Sequence, residues 1–246
     1  MASPLEQFAI QDLTAPLFTI GGHHIAVTNS AIFMMAAVVI SSALLLGGAS
    51  KGAMIPGRVQ AMAELFYEFI ANMIRDNVGS AGKKFFPFIF SLFIFTLFGN
   101  ILGMLPYGYT FTSQIAVTFF MAMVVFLGVT LIGLFKHGLH FFSLFFPHGA
   151  PLFTAPILIP IEVVSYLSRP ISLSVRLFAN MTVGHIILKI FAGFVVSLGA
   201  YYILPGVIPF SLLIGLTALE FFVAFLQAYI FTILCCIYLN DALHLH

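Results

Sequence analysis

Residues 168–185 decide the fold, and they read Ser-Arg-Pro-Ile-Ser-Leu-Ser-Val-Arg-Leu-Phe-Ala-Asn-Met-Thr-Val-Gly-His. Arg176 lies in the middle of this stretch, and Ile, Leu, Val and Phe residues extend the apolar run on both sides. A cation at the centre of a bilayer costs about 2.5 to 17 kcal/mol, so it is normally retained only where it faces a protein interior or a wet cavity. Arg176 therefore indicates a protein that handles ions or protons.

The composition excludes a soluble domain. Of the 246 residues, 61% are hydrophobic and 7% are charged, and the mean hydropathy is +1.13. The long apolar runs lack the ten-residue alternation of a membrane β-barrel, and in hydrocarbon the remaining way to satisfy every backbone N–H and C=O group is the α-helix. The sequence therefore predicts an all-α polytopic membrane protein.

Several classes of function and site are also excluded. A net charge of +1 with nine Lys and Arg residues leaves no basic patch for nucleic acid. The sequence has no Gly-rich Lys-Ser/Thr loop, so we expect no phosphoryl chemistry and a non-catalytic chain. No cofactor is expected either. Cys235 and Cys236 diverge by about 100° on a helix, which suits neither a disulfide nor a zinc pair. His137, His140 and His148 lack cysteine and carboxylate neighbours, so we interpret them as interfacial residues rather than metal ligands.

The apolar pattern predicts five membrane helices and one surface helix within a single membrane domain, residues 1–246. We expect an anchor helix at 30–48, an amphipathic interfacial helix at 57–80, a hairpin at 85–136 with spans at 85–105 and 114–135, and a long tilted hairpin at 157–240. Residues 138–156 are rich in Phe, His, Pro and Gly, and are expected to form a loop or re-entrant segment.

The segment from 157 to 200 is long for one membrane crossing. Its helical periodicity continues for roughly 40 residues, about 60 Å at 1.5 Å per residue, against a hydrocarbon core of about 30 Å. It forms either two short spans or one tilted helix kinked at Pro160 or Pro170, and we expect the tilted helix. Pro205-Gly206 is predicted to form the turn before a last helix at 208–240.

Orientation follows from the Lys and Arg residues outside the spans. Under this topology they all fall on one side: Lys51, Arg58, Arg75, Lys83, Lys84 and Lys136. We therefore expect that side to be the cytoplasm or a mitochondrial matrix, with the N-terminus outside and the C-terminus inside.

The first of the two long helices carries a polar stripe. At 100° per residue, Glu162, Arg169, Arg176 and Asn180 fall within about 40° of one line, because their separations return close to the same face. His185 lies about 180° round the helix from Arg176. The polar groups are therefore divided between at least two surfaces. Arg169, which precedes a proline, is expected to snorkel or to pair with an acid or a lipid headgroup.

The second long helix supplies partners at matching depth. Glu220 and Gln227 share a face, and Glu220 lies about as far from the predicted turn as His185 does, so the two can form an acid–imidazole pair. Arg176 and Gln227 lie deeper, and Glu162 lies nearest the inner surface. Glu and His can change protonation near ambient pH, whereas Arg stays charged. These are the parts of two offset proton half-channels, and the carboxylate that would partner Arg176 is expected on another subunit.

One motif resembles that of a known family. It is Arg176-Leu177-Phe178-Ala179-Asn180-Met181, with the flanking Ser-Leu-Ser-Val and Gly184-His185, and it is similar to the motif of subunit a of the rotary F-type ATP synthase. Gly99-Asn100 through Pro106 and Glu220 through Gln227 extend the likeness over nearly the whole chain. Many bacterial members have an acid at the position of His185 and a histidine at that of Glu220, so this chain looks like the mitochondrial and alphaproteobacterial type.

The resemblance implies a function and partners. In that family the equivalent of Arg176 faces the essential carboxylate of the c-ring and prevents protons from short-circuiting between half-channels. The resemblance assigns Glu162 to the inner path and four residues to the outer path and mid-membrane face: His185, Glu220, Asn180 and Gln227. It implies c-ring subunits, b-type peripheral stalk subunits and the rest of the synthase as partners, protons as the transported ion, and a bacterial or mitochondrial inner membrane as the location.

Two other functions remain open at this point. A self-contained proton- or sodium-coupled secondary transporter would use the same buried charges, but such proteins usually contain two related repeats, and the 157–200 pattern has no second copy. A structural assembly subunit leaves Arg176 unexplained. Structural roles also stay open for single residues: an internal salt bridge for Arg176, a packing pair for His185 and Glu220, interhelical hydrogen bonds for Asn180 and Gln227, and a solvated helix end for Glu162.

Overall fold

A computed structural model describes residues 8–13, 18–20, 23–50, 52–105, 108–138, 140–141, 152–199 and 203–244. These residues form six α-helices: α1 (Asn29–Ala49), α2 (Arg58–Asn77), α3 (Phe86–Gly103), α4 (Ile115–His137), α5 (Ala155–Gly199) and α6 (Ile203–Leu243). Short 3-10 segments cover Ser80–Phe85, Phe111–Ser113 and Leu152–Thr154. The helices follow the apolar runs because a helix satisfies its own backbone polar groups.

Five helical segments within these residues are long and apolar enough to cross a membrane: Asn29–Ala49, Ser80–Gly103, Ile115–His137, Ala155–Gly199 and Gly206–Leu243. Each contains most of one predicted span. The predicted all-α polytopic membrane protein with five membrane helices is therefore confirmed.

The α2 helix is amphipathic, as its sequence predicts. Ile70, Met73 and Ile74 are buried, and its charged residues are all exposed: Arg58, Glu64, Glu68, Arg75 and Asp76. The helix ends three residues before the predicted limit because Gly79 adopts φ 76°, a left-handed conformation that favours glycine and stops the helix. Its location at a membrane surface stays a prediction.

The α5 helix is continuous. It runs for 45 residues from Ala155 to Gly199 with Pro160 and Pro170 inside it, so the alternative of two short spans is wrong. Each proline removes one backbone hydrogen bond, a loss that membrane helices tolerate through local adjustment and neighbouring groups. The expected tilt of this helix stays a prediction.

The predicted turn at Pro205-Gly206 is wrong. Both residues lie in the first turn of α6, which begins at Ile203. The first backbone N–H groups of a helix have no partner within it, so a proline near the start of a helix costs little. Parts of three predicted features lie outside the described residues. These parts are Pro106 and Tyr107 at the end of the second span, residues 142–151 of the loop, including His148, and residues 200–202 between the long helices.

A short strand pair precedes α1 and was not predicted. The strands β1 (Phe18–Ile20) and β2 (His23–Ile25) pair antiparallel, with Thr19 opposite His24. Strands of three residues are too short to show the alternation by which a sequence signals β-structure. Their presence leaves the helical class unchanged.

The chain forms two compact units. The first comprises Met1–Leu46, Ile94–Gln114 and Leu177–Ala228, and the second comprises Gly47–Phe93, Ile115–Arg176 and Tyr229–His246. The core of the first unit includes Leu97, Phe111, Leu177, Met181 and Ala224. The core of the second includes Ile70, Ile89, Phe93, Val125 and Phe231. Cys235 and Cys236 are buried and unbridged in the second unit, in keeping with the prediction that they pack as small apolar residues.

Candidate functional site

In the first unit, α5 and α6 pack antiparallel and bring His185 next to Glu220. A Cβ atom built at Gly206 lies 3.0 Å from the Cα of Gly199, and one built at Gly184 lies 2.7 Å from Oε1 of Glu220. Nδ1 of His185 lies 3.4 Å from Oε1 of Glu220, and the two side chains are 13% and 5% exposed. The expected proximity of this pair is therefore confirmed.

The carboxylate of Glu220 is a buried group with little support from hydrogen bonds. No described residue donates a hydrogen bond to either of its oxygens, and the 3.4 Å contact with His185 lacks hydrogen-bond geometry. A buried polar group without hydrogen bonds is costly, and a carboxyl group and an imidazole in contact can exchange a proton. This arrangement suits a group that takes up and releases protons.

The other side of the His185 ring contacts Thr110 and Phe8. Nε2 of His185 lies 2.7 Å from Oγ1 of Thr110, and the ring centroids of Phe8 and His185 are 6.4 Å apart. Both nitrogens of the imidazole therefore have a defined neighbour. Thr110 was not predicted from the sequence, because it lies 75 residues from His185 in a segment without periodicity.

Thr110 belongs to a buried polar segment that follows α3. Thr112 donates to Oδ1 of Asn100 at 2.8 Å, and Asn100 donates to the carbonyl of Ala224 at 3.2 Å. Gly99 and Gly103 on α3 leave the room that the side chains of Phe111 and Thr110 occupy. Asn100, named only through the family resemblance, thus ties this segment to α6.

Tyr109 links the same segment to the N-terminal residues. Its hydroxyl donates to the carbonyl of Phe8 at 3.3 Å and accepts a hydrogen bond from Gln114. Burial raises the pKa of the Tyr109 phenol above its usual range, against the opposing effect of the Gln114 hydrogen bond. The hydroxyl therefore remains protonated and available as a donor, which holds Phe8 beside His185.

A cavity opens beside Glu220 in the first unit. Its volume is about 190 Å³, and Asn180, Gly184 and Glu220 line it together with apolar residues of α5 and α6. A water molecule has a share of liquid volume of about 30 Å³, so the cavity has room for several. Asn180 and Glu220 supply polar groups that water molecules need as partners. The structure thus brings Asn180, His185 and Glu220 into one neighbourhood.

Arg176 is exposed on α5, as are Asn180 and the flanking Val175. No described carboxylate lies within 4 Å of its guanidinium, whereas Arg75 and Arg169 each have such a neighbour. An internal salt bridge therefore does not explain Arg176 within the described part of the chain. The expectation that its partner belongs to another subunit stays a prediction.

The remaining predicted residues are in different environments. Gln227 is buried on α6, with 6% of its surface exposed, and Glu162 is half-buried near the start of α5. Arg169, in the second unit, lies 3.3 Å from Oδ2 of Asp241 and stacks over the rings of Tyr166 and Tyr238 at 5.2 and 4.8 Å. The expectation that Arg169 pairs with an acid is confirmed.

The sequence also matches a known family over most of its length. A profile of the family described as "ATP synthase A chain" matches residues 30–240. The chain belongs to this family. Relatives named "ATP synthase subunit a" occur in Paramagnetospirillum magneticum, 60% identical over all of both chains, and in Rhodospirillum rubrum, 57% identical over all of both chains. A third, from Parvibaculum lavamentivorans, is 53% identical over 98% of this chain and 93% of its own.

Membership of the ATP synthase A chain family confirms the resemblance inferred from the Arg176 motif. The match covers all six helices apart from Asn29 and the last three residues of α6, and it includes every predicted site residue. No comparison supports the secondary-transporter alternative.

Proposed function

We propose that this chain is the proton-translocating stator subunit of an F-type ATP synthase, and that it couples proton flow to rotation of a c-ring through two offset half-channels. The observation that carries the proposal is Arg176, an exposed cation on a long apolar helix with no carboxylate partner among the described residues. Membership of the ATP synthase A chain family supports it. The chain is a subunit of the complex that makes ATP and has no phosphoryl chemistry of its own.

The outer half-channel uses the cluster around Glu220. A proton from the outer aqueous phase reaches His185 and Glu220, whose side chains are in contact at 3.4 Å. It passes along the cavity lined by Asn180 and Glu220 towards the ring. Gln227, about two turns further along α6 on the same face, continues this path. Because the proton can reside on either His185 or Glu220, its transfer along this path is reversible, and the same path serves ATP synthesis and ATP hydrolysis.

Arg176 separates the two half-channels. An arginine side chain carries a permanent charge, so it cannot relay a proton, but it attracts the ionised carboxylate of a ring subunit. A ring carboxylate that has lost its proton to the inside pairs with Arg176 and is released when it is protonated from the outside. Glu162, on the same helical stripe, receives the proton on the inner side.

The proposal fixes the location and the partners. The chain spans the inner membrane of a bacterium, with its N-terminus outside and its C-terminus in the cytoplasm. It contacts the c-ring through the stripe that contains Arg176 and Asn180, and the b-type peripheral stalk holds it against the rotational force. Membrane lipid surrounds the remaining apolar surface.

The decisive experiment is ATP-driven proton pumping in inverted membrane vesicles that carry Arg176→Ala. We expect an assembled complex that hydrolyses ATP without forming a proton gradient, and that leaks protons when a gradient is imposed. Arg75→Ala is the matched control, because this exposed arginine lies outside the long helices and contacts neighbours on its own helix, Oδ1 of Asn72 at 2.8 Å and Asp76 at 3.9 Å. Wild-type pumping by the Arg176→Ala complex would refute the proposal.

A further inference from the structure

The imidazole of His185 is held from both sides. Thr110 Oγ1 lies 2.7 Å from Nε2, and Glu220 Oε1 lies 3.4 Å from Nδ1. Because the two ring nitrogens point in different directions, a neighbour that fixes one of them also fixes where the other points. The hydrogen bond to Thr110 therefore determines that Nδ1 faces Glu220.

The position of Thr110 is itself fixed. The residue is 5% exposed, and a Cβ atom added to Gly103 would lie 2.6 Å from its Cβ and 2.8 Å from its Cα. Ser113 donates a hydrogen bond to its carbonyl at 2.6 Å, and the 3-10 segment Phe111–Ser113 follows directly. The backbone thus places the hydroxyl of Thr110 next to His185, in a segment packed against α3.

A hydroxyl suits this position chemically. It has one donor and two acceptor lone pairs, so it can donate to an unprotonated Nε2 or accept from a protonated one. When the doubly protonated ring gives its Nδ1 proton to the Glu220 carboxylate, an N–H bond breaks, an O–H bond forms, and the neutral imidazole keeps its Nε2–H bonded to the hydroxyl. The ring can therefore change protonation state without turning away from Glu220.

We propose that Thr110 is a positioning residue of the outer proton path, whose hydroxyl keeps the imidazole of His185 directed at Glu220 in every protonation state. This inference rests on the proposed function of His185 and Glu220. The charged groups that act on His185 within the described residues are Glu220 from α6 and Lys189, one turn further along α5. Thr110 and Phe8 are its uncharged neighbours.

The test uses the complete ATP synthase reconstituted in liposomes, with ATP synthesis driven by an acid–base jump and measured over a range of pH on the side of the N-terminus. Thr110→Val keeps the shape of the side chain and removes the hydroxyl. We expect the rate to fall roughly five-fold, the factor that one hydrogen bond contributes. The pH dependence should also move to lower pH, because a protonated imidazole loses its acceptor.

Two controls separate positioning from packing. Thr110→Ser retains the hydroxyl and is expected to keep the wild-type pH dependence. Thr112→Val removes a buried hydroxyl from the same segment, one that bonds to Asn100 instead of His185. It is expected to lower the amount of assembled complex and to leave the pH dependence unchanged. If Thr110→Val fails to assemble, Thr110→Ala compared with Thr110→Ser measures the same hydroxyl in a smaller side chain.

A wild-type rate and pH dependence in Thr110→Val, or the same pH shift in Thr112→Val, would overturn the inference. His185→Ala and Glu220→Gln are measured in parallel, to distinguish a wrong role for Thr110 from a wrong outer proton path. Loss of synthesis in both, with Thr110→Val unaffected, means that the outer path is correct and the role of Thr110 is wrong. Wild-type synthesis in both means that the proposed outer path itself is wrong.

Discussion

Gly184 makes the contact between His185 and Glu220 possible, and replacing it tests the site without removing any functional group. A Cβ atom at position 184 would lie 2.7 Å from Oε1, 3.1 Å from Cδ and 3.3 Å from Cγ of Glu220. The first distance is about 0.7 Å shorter than the 3.4 Å at which ordinary van der Waals contact begins. Gly184→Ala therefore requires the carboxylate to move by about that amount or more.

The structural cost of this substitution is small and its functional cost is large. Overpacking costs about 1 to 3 kcal/mol, and exchanging a helical glycine for alanine returns up to about 1 kcal/mol. The complex should therefore still assemble. A displacement of about 1 Å at a reacting group can cost about 100-fold in rate, so we expect proton pumping to fall by about 10- to 100-fold.

The assay is ATP-driven acidification of inverted vesicles, normalised to the amount of assembled complex. Gly193→Ala is the matched control on the same helix, because a Cβ atom at that position meets nothing within 4 Å. It should pump at the wild-type rate. Wild-type pumping by Gly184→Ala would show that close packing of Glu220 against α5 is unimportant for transport, and the reasoning would be refuted.

Three further substitutions test other parts of the fold. Asn100→Leu leaves the Ala224 carbonyl and the Thr112 hydroxyl without their buried partner, so the thermal stability of the assembled complex should fall by about 1 to 3 kcal/mol, and an unchanged melting temperature would contradict this. Arg169→Met keeps the apolar stem but loses the ion pair with Asp241 and the stacking on Tyr166 and Tyr238. The loss should lower the free energy of unfolding by about 1 to 2 kcal/mol, and by less at high salt, which screens the ion pair. A loss that does not depend on salt would argue against the ion pair. Thr130→Val removes the hydroxyl that lies 2.6 Å from that of Tyr166 and should cost about 1 kcal/mol in the same melting assay, whereas a stable variant would mean that Tyr166 finds another partner.

The membrane helices were predictable because each is a long apolar run, and the proximity of His185 and Glu220 was predictable because both lie about equally far from the connection between α5 and α6. The exact turn was not, since Pro205 and Gly206 look like turn residues but are also compatible with the first turn of a helix. The contact of Thr110 with His185 could not be predicted from the sequence, for a different reason. It joins an irregular segment to a helix, and no periodicity relates two such positions.

The sequence predicted the environment of Arg176 but not that of Glu220. The spacing and apolar surroundings of Arg176 predicted a cation that lacks a partner in its own chain, and the described residues contain no carboxylate within 4 Å of its guanidinium. The spacing of residues could not predict the space that the Glu220 side chain occupies. This space exists because Gly184 has no side chain, and it is visible only in the packing of α5 against α6.

The exposure of Arg176 also has a consequence for biogenesis. A chain inserted alone carries this cation into the membrane without a counter-charge from its own described residues, at a cost of about 2.5 kcal/mol or more. Under the proposed function that counter-charge belongs to the ring. The free chain therefore has a higher free energy in the bilayer than the chain bound to the ring. If the ring is complete before the chain is inserted, the cation meets its counter-charge at once, so the order of assembly sets how long the chain remains in this costly state.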